Sequence, residues 1–393
     1  MSQPPPRPTL RGNHRVWQVV RAEGELAALG RLKAGRPRPG VHRFDPRCFG
    51  SEEDVLIELA LLGMQRIAPV YQLGSPDDDL RVHGYIEGEA LSVSRPPGTP
   101  LSGGELSQLA ELSGRLATVP PSAMALVHRC PVVLRPRNSR EFLHGLIRFT
   151  RRRVYAVHRP AMEGLFTSLH IGPGVLGPSG PLSREASRLT DRPFCLLHGD
   201  LHRDNLIVAE ADGLLWTIDW ELALVGDPLY DLATHLHLMR YPPAQEPEVL
   251  ARWARAVEAS LPGASDGFAR DLPRYLAYKR VQSVFTDVIR QAFLVRAAPP
   301  GQLDASLARA GEVVGAALRA AARMLGLGRV PGPGAVAGAY AAWRAGLGDG
   351  PGEGGGLSGA PAPPPAATAP ARRAATRRGG PSAASRRGRR GSG

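Results

Sequence analysis

A chain of 393 residues with 43% hydrophobic content is long enough for two or three domains and apolar enough to fill real cores, which excludes a chain disordered throughout. Its formal charge of +13 does not describe a basic folded face, because eight arginines against the single acid Glu353 put +7 of it in residues 351–393. The amino terminus lacks the apolar core of a signal peptide and no window reaches the roughly 18 apolar residues of a membrane span, while Cys48, Cys130 and Cys195 stand at spacings that spell neither a disulfide framework nor a zinc site. The expectation is a protein of a reducing cytoplasm without a membrane partner.

In chain order, residues 1–12 are proline-rich and expected to be disordered. Three β-like runs follow, over 15–21, 26–33 and 41–44, separated by turn signals. Ser51, Glu52, Glu53 and Asp54 form a capping box with acids in the first turn, opening a helix over 55–62. Runs at 68–73 and 80–86, around the turn 75–79, read as two more strands. Past Gly88 the apolar spacing becomes helical, over 101–119, 140–158, 228–240, 246–260, 272–295 and 302–325. The exception is a β-rich patch at 193–197, 206–208 and 214–218, the last two joined by an Asp212-Gly213 turn.

From about Gly328 the composition turns to Gly, Pro, Ala and Arg, too poor in large apolar residues to offset ordering entropy. The reading is therefore α+β: a small β-rich lobe over 13–88, a larger helical lobe with a short hairpin over 89–326, and a disordered tail over 327–393. The Arg pairs of the tail offer nucleic acid a contact; the plain alternative is a solvated extension.

The chemistry concentrates at His198-Gly-Asp-Leu-His-Arg-Asp-Asn205 and at Thr217-Ile-Asp-Trp220. Phosphoryl transfer needs an aligned nucleophile, a divalent metal bridging the phosphates and positive charge on the oxygens. Asp200, where an apolar strand leaves the core, is the candidate base; Asn205 and Asp219 are candidate magnesium ligands, one neutral and one charged. His202-Arg203-Asp204 imitates the catalytic His-Arg-Asp of protein kinases, but that motif wants Asn five residues after its Asp, and residue 209 is alanine.

The blocks His198-x-Asp200-x-x-x-x-Asn205, Ile218-Asp219-Trp220-Glu221 and Gly226-Asp227-Pro228-Leu-Tyr-Asp231 resemble the aminoglycoside phosphotransferase and choline kinase-like family, over roughly residues 13–326. The resemblance implies a protein-kinase-like fold, ATP with magnesium, Asp200 as base, Asn205 and Asp219 as metal ligands, and His198 and Asp227 as structural support of the loop. It implies a small-molecule hydroxyl acceptor such as an aminoglycoside or amino sugar. No lysine occupies the run 41–44, so Arg43 is the expected phosphate grip, with Lys33 its rival, and Glu58, or else Glu53, is the expected helix partner. Gly84, Tyr85 and Glu87 fall where the lobes connect and adenine would lie. The alternative function is a pseudokinase that binds nucleotide without turnover because arginine has replaced lysine.

Overall fold

The structure, a computed structural model, describes residues 9–11, 15–73, 80–124, 129 and 138–347. Strands β1 (Thr9–Arg11), β2 (Arg15–Arg21) and β3 (Arg31–Pro37) lead to helix α1 (Glu52–Leu61), followed by β4 (Val70–Leu73) and β5 (Leu80–Gly84). They form one antiparallel sheet of order β1-β2-β3-β5-β4. Ser51 caps α1 by accepting the Asp54 N–H at 3.1 Å, as the acidic box announces. The apolar face of α1 buries Val55, Leu56 and Leu59.

The small lobe departs from expectation in three places. Residues 9–11 pair with β2, so part of the segment 1–12 belongs to the sheet. The run 26–33 divides into a 3-10 turn at Gly24–Leu29 and the start of β3. Its apolar residues, none of them buried in the turn, serve a hairpin connection closed by the Ala22 N–H on the Gly30 carbonyl at 2.8 Å. The run 41–44 forms no strand: prolines 37 and 39 break the pairing, and the segment is instead pinned to the core by buried Phe44 and Cys48. The turn 75–79 lies outside the described residues.

The chain crosses between lobes at Tyr85–Glu87, where the Tyr85 N–H meets the Arg31 carbonyl and the Glu210 N–H meets the Glu87 carbonyl, each at 2.9 Å. Beyond the crossing come β6 (Gly88–Ala90), α2 (Leu91–Ser94), α3 (Gly103–Ala117), α4 (Ser139–Phe149), a π turn (Thr150–Tyr155), α5 (Ala156–Ser168) and α6 (Pro181–Ala186). Then β7 (Cys195–Leu197), β8 (Leu206–Ala209), β9 (Leu215–Thr217) and β10 (Leu224–Gly226) alternate with short turns. Helices α7 (Pro228–Met239), α8 (Glu246–Ser260), α9 (Phe268–Ala297) and α10 (Leu303–Leu325) complete the larger lobe. β6 pairs with β8 and β8 with β9, so Gly88 already belongs to the helical lobe. This small antiparallel lobe hinged to a helical one is the protein-kinase-like fold.

Helix α9 is the spine of the larger lobe, with Tyr275, Tyr278, Val281, Phe285, Val288 and Ile289 buried along it. Even so, no helix among the described residues is long and apolar enough to cross a membrane. Beside its amino terminus a fully buried ionic cluster fastens the lobe: Arg192 bonds Asp227 at 2.8 Å and Asp271 at 2.5 Å, with no solvent exposure of the three side chains.

The segment expected to be disordered from residue 327 contains a helix, α11 (Pro333–Ala345). Its small residues permit close packing: a Cβ on Gly311 of α10 would stand 2.4 Å from the Pro333 carbonyl oxygen. Val336 and Tyr340 are buried, and the Tyr340 hydroxyl donates to the Val288 carbonyl at 2.9 Å. Residues 348–393, with the arginine pairs, lie outside the described residues. Cys48 is disulfide-bonded, which the cysteine spacing did not announce, whereas Cys195 is a free buried thiol.

Candidate active site

The catalytic loop leaves the core from β7, whose three residues are all buried and which pairs with β10. At Gly199 the chain takes φ +79°, and a Cβ there would stand 2.3 Å from the Leu222 carbonyl oxygen, so only glycine makes the turn. The Asp231 carboxylate on α7 accepts the N–H groups of His198 at 3.1 Å and Gly199 at 2.8 Å. Asp231 is thus the acid that holds the loop directly. Asp227 does not touch the loop: it caps α7 through the Leu229 N–H at 2.9 Å and takes bonds from Arg192 and Tyr275. Its support is indirect, through the helix that carries Asp231.

His198 is fully buried, and burial lowers its pKa to about 4, so the ring is neutral. The Ile218 carbonyl can only accept, which places the ring proton on Nε2, 3.1 Å away, and leaves Nδ1 to accept the Asp200 N–H at 3.3 Å. One imidazole therefore ties the loop of Asp200 to the strand end that carries Asp219. Asn205 adds a second tie, donating from Nδ2 to the Asp200 carbonyl at 2.9 Å, while its own carbonyl accepts the Ile218 N–H at 3.0 Å.

Asp200 itself is partly exposed and faces a cavity of about 560 Å³. His202 stands 3.6 Å from its carboxylate. Burial disfavours the His202 imidazolium, but the hydrogen bond and charge of Asp200 prevail and raise its pKa. The decoy residue Arg203 is a strut: buried, it donates to the carbonyls of Met239 at 3.0 Å, Arg95 at 2.7 Å and Thr99 at 2.8 Å. Asp204 is exposed.

Asp219 ends the hairpin in the left-handed region, φ 63° and ψ 62°, a conformation that costs a non-glycine residue about 1 kcal/mol or more. Burial raises its pKa to about 8, and the charges of Glu52, Glu221 and Asp200 add to the rise against the pull of Arg47. A carboxylate raised this far is short of positive charge, and on that ground the donor set fits a divalent cation. Asn205 and Asp219 would hold it. Among the described residues no three His, Cys, Asp or Glu side chains converge on one point.

Arg43 is exposed on an irregular segment, and Glu58 forms no ion pair among the described residues; neither Arg43 nor Lys33 lines the cavity. Lys33 is the cation of β3 that is not exposed, in register with Val19 of β2 and His83 of β5. Burial lowers its pKa, against the raising charges of Glu52 and Asp219, and its ammonium lies over the Trp17 ring at 4.5 Å. The acid of α1 that faces this centre is Glu52, buried, accepting the Trp220 N–H at 3.2 Å. Glu53 instead binds Arg15 at 2.5 Å and His83 at 3.0 Å.

Arg47, which sequence reasoning passed over, enters the cavity from the segment after β3. Glu221 holds one of its terminal nitrogens at 2.9 Å, and its Nε and other terminal nitrogen are buried without a hydrogen-bond partner. The only sequence signal was its place in the irregular stretch ahead of the acidic helix cap. Gly84, Tyr85 and Glu87 sit at the lobe crossing, with Arg31 stacked on Tyr85 at 4.1 Å and paired to Glu87 at 2.7 Å; none of the three lines the cavity.

Known structures similar to this chain include a protein assigned as an aminoglycoside phosphotransferase from Ralstonia eutropha JMP134 (16% identity, 88% of this chain and 94% of that one covered, TM-score 0.48). Others are a choline/ethanolamine kinase family protein from Mesorhizobium loti (16%, 85% and 92%, TM-score 0.44) and a choline kinase from Streptococcus pneumoniae (14%, 78% and 93%, TM-score 0.40). No curated protein sequence matches significantly. The model of the phosphotransferase enzyme family matches residues 9–276, from β1 through the catalytic loop into α9. The chain belongs to the phosphotransferase enzyme family and is a small-molecule phosphotransferase that acts on hydroxyl groups.

Proposed function

We propose that the protein is an ATP-dependent, magnesium-requiring kinase that transfers the γ-phosphoryl group to a hydroxyl of an aminoglycoside, an amino sugar or a similar hydroxylated metabolite. The observation that carries this reading is the Asp200 carboxylate at the cavity wall, tied through His198 and Asn205 to the strand end bearing Asp219.

The acceptor hydroxyl lies against Asp200, which takes its proton as the oxygen attacks phosphorus and the bond to ADP breaks. His202 balances the charge of Asp200 between turnovers. Arg47, with two unpartnered nitrogens, and Lys33 meet the charge that develops on the phosphoryl oxygens. Asn205 and Asp219 would hold a magnesium ion, which would supply charge neutralisation for the phosphates. The lobe crossing at Gly84, Tyr85 and Glu87 receives adenine. The kinase reading is favoured over a pseudokinase because Lys33 on β3 offers a lysine for the phosphate.

Asp200→Ala should lower turnover about a hundred- to ten-thousandfold with ADP affinity preserved. Full turnover by that variant, measured as ADP release with an accepted substrate, contradicts the assignment.

A further inference from the structure

Beyond the groups used in transfer, the cavity is lined by polar side chains with atoms that find no partner among the described residues. Steps of three and four residues place Lys279, Gln282, Ser283, Thr286 and Arg290 of α9 along one cavity wall. Lys279 is only 7% exposed, makes no ion pair among the described residues, and has the Tyr230 ring as its neighbour at 5.4 Å. Burial lowers its pKa, with the charges of Asp45 and Asp200 opposing. A buried ammonium without a bonded counter-ion is costly unless an anion arrives. Gln282 donates to Asp45 at 2.7 Å, which leaves its Oε1 buried without a donor, and the buried Oε1 of Gln291 is in the same position.

The lining cations are Arg38, Lys279, Arg47, which pairs with Glu221, and Arg290, which pairs with Asp287; the lining acids are Asp45, which accepts from the Gln282 amide, and Asp200, the base. A polycation entering this cavity meets the buried amino group of Lys279 as like charge. At the far end of the α9 wall the lining is flat and aromatic, with His42 stacked on Phe293 at 3.7 Å between ring centroids.

We infer that the acceptor is a hydroxylated molecule bearing an acidic group, a carboxylate or a phosphate, which Lys279 binds from the α9 wall of the cavity. The inference rests on the reading of this cavity as the acceptor site of a kinase. Lys279 is then a specificity residue, distinct from the base, and it selects among hydroxyl compounds by charge.

The test is calorimetric titration of the full chain, with and without ADP and magnesium, using four hexoses that differ in one substituent: glucose, glucosamine, glucuronate and glucose 6-phosphate. At least one acid should bind about tenfold or more tightly than glucose and glucosamine, and Lys279→Met should abolish that preference. Glucuronate and glucose 6-phosphate separate the carboxylate from the phosphate. Arg290→Ala, at a half-exposed rim position away from the core, should weaken the preferred acid a few-fold and guards against misfolding of the first variant. Tighter binding of glucosamine, equal or absent binding of all four, or an unchanged preference in both variants overturns the inference. Failure of the kinase reading shows separately, as a wild-type chain that binds no ADP with magnesium.

Discussion

Asp200 and Asp204 both offered a catalytic carboxylate, and spacing alone chose between them, because Asn205 stands five residues after Asp200 and nothing equivalent follows Asp204. The structure gives that choice a physical form: the Asp200 N–H is bonded to His198 and its carbonyl to Asn205, while Asp204 is solvent-facing. The cations proposed to meet phosphate were less legible. Lys33 was visible only as a rival to Arg43, because the break after β3 depends on prolines whose effect on pairing needs the whole sheet. Arg47 was invisible, since its importance lies in two orphaned nitrogens that no sequence pattern encodes. Lys33→Met should therefore lower turnover about a hundredfold or more, whereas Arg43→Ala should leave it within about twofold, as steady-state ADP release would show. Glu53 supplies a stability test. Burial works to raise its pKa, but the hydrogen bonds from His83 and Arg15 and the charge of Arg15 hold it well below the carboxylate range. A depressed acid stabilises the fold above its unfolded pKa and loses that contribution as pH falls through the folded value. Glu53→Gln should cost about 1–3 kcal/mol at neutral pH, with the gap from wild type narrowing below about pH 4 in urea titrations; a gap that widens in acid contradicts the assignment.

Among the elements, those with a local signature were legible: the acidic cap of α1, and the β8–β9 hairpin around Asp212-Gly213, where Leu214 donates its N–H to Asp212 at 2.9 Å. Those that depend on partners were not. The run 26–33 had the composition of a strand, but only residues 31–33 joined β3 and the rest became a turn, because Gly30 closes the hairpin there. Helix α11 was missed because alanine and glycine carry little hydrophobic signal, although they let a helix approach α10 closely enough to bury Tyr340. Tyr340→Ala should cost about 3–5 kcal/mol, read from the denaturant midpoint. A change below about 1 kcal/mol would mean that α11 does not contribute to the lobe. Tyr340→Phe, which keeps the ring and loses the bond to Val288, should cost only about 1 kcal/mol.

At the scale of the molecule, stability and chemistry share one frame. Arg192 joins Asp227, which caps α7, and α7 carries Asp231, which holds the catalytic loop. Arg192→Met leaves buried Asp227 without its cation, while Asp271 keeps Arg274 and Arg270, and should destabilise the chain by about 3–5 kcal/mol, with the loss of activity following the loss of fold in thermal unfolding. Fold class and reaction were legible because both rest on short motifs and a lobe-scale change of periodicity. The acceptor was not, because its cavity is assembled from side chains far apart in sequence, on α9, the segment after β3 and the catalytic loop. The most direct test of the central claim is a phosphate mass-shift screen. Wild-type chain and Asp200→Ala, each with ATP and magnesium, are incubated with a small-molecule extract, and the products are weighed by mass spectrometry. The account predicts a metabolite that gains one phosphoryl group with the wild type and not with the variant, at equal ADP affinity. Equal product from both, or nucleotide binding by the wild type with no phosphorylated product, contradicts it.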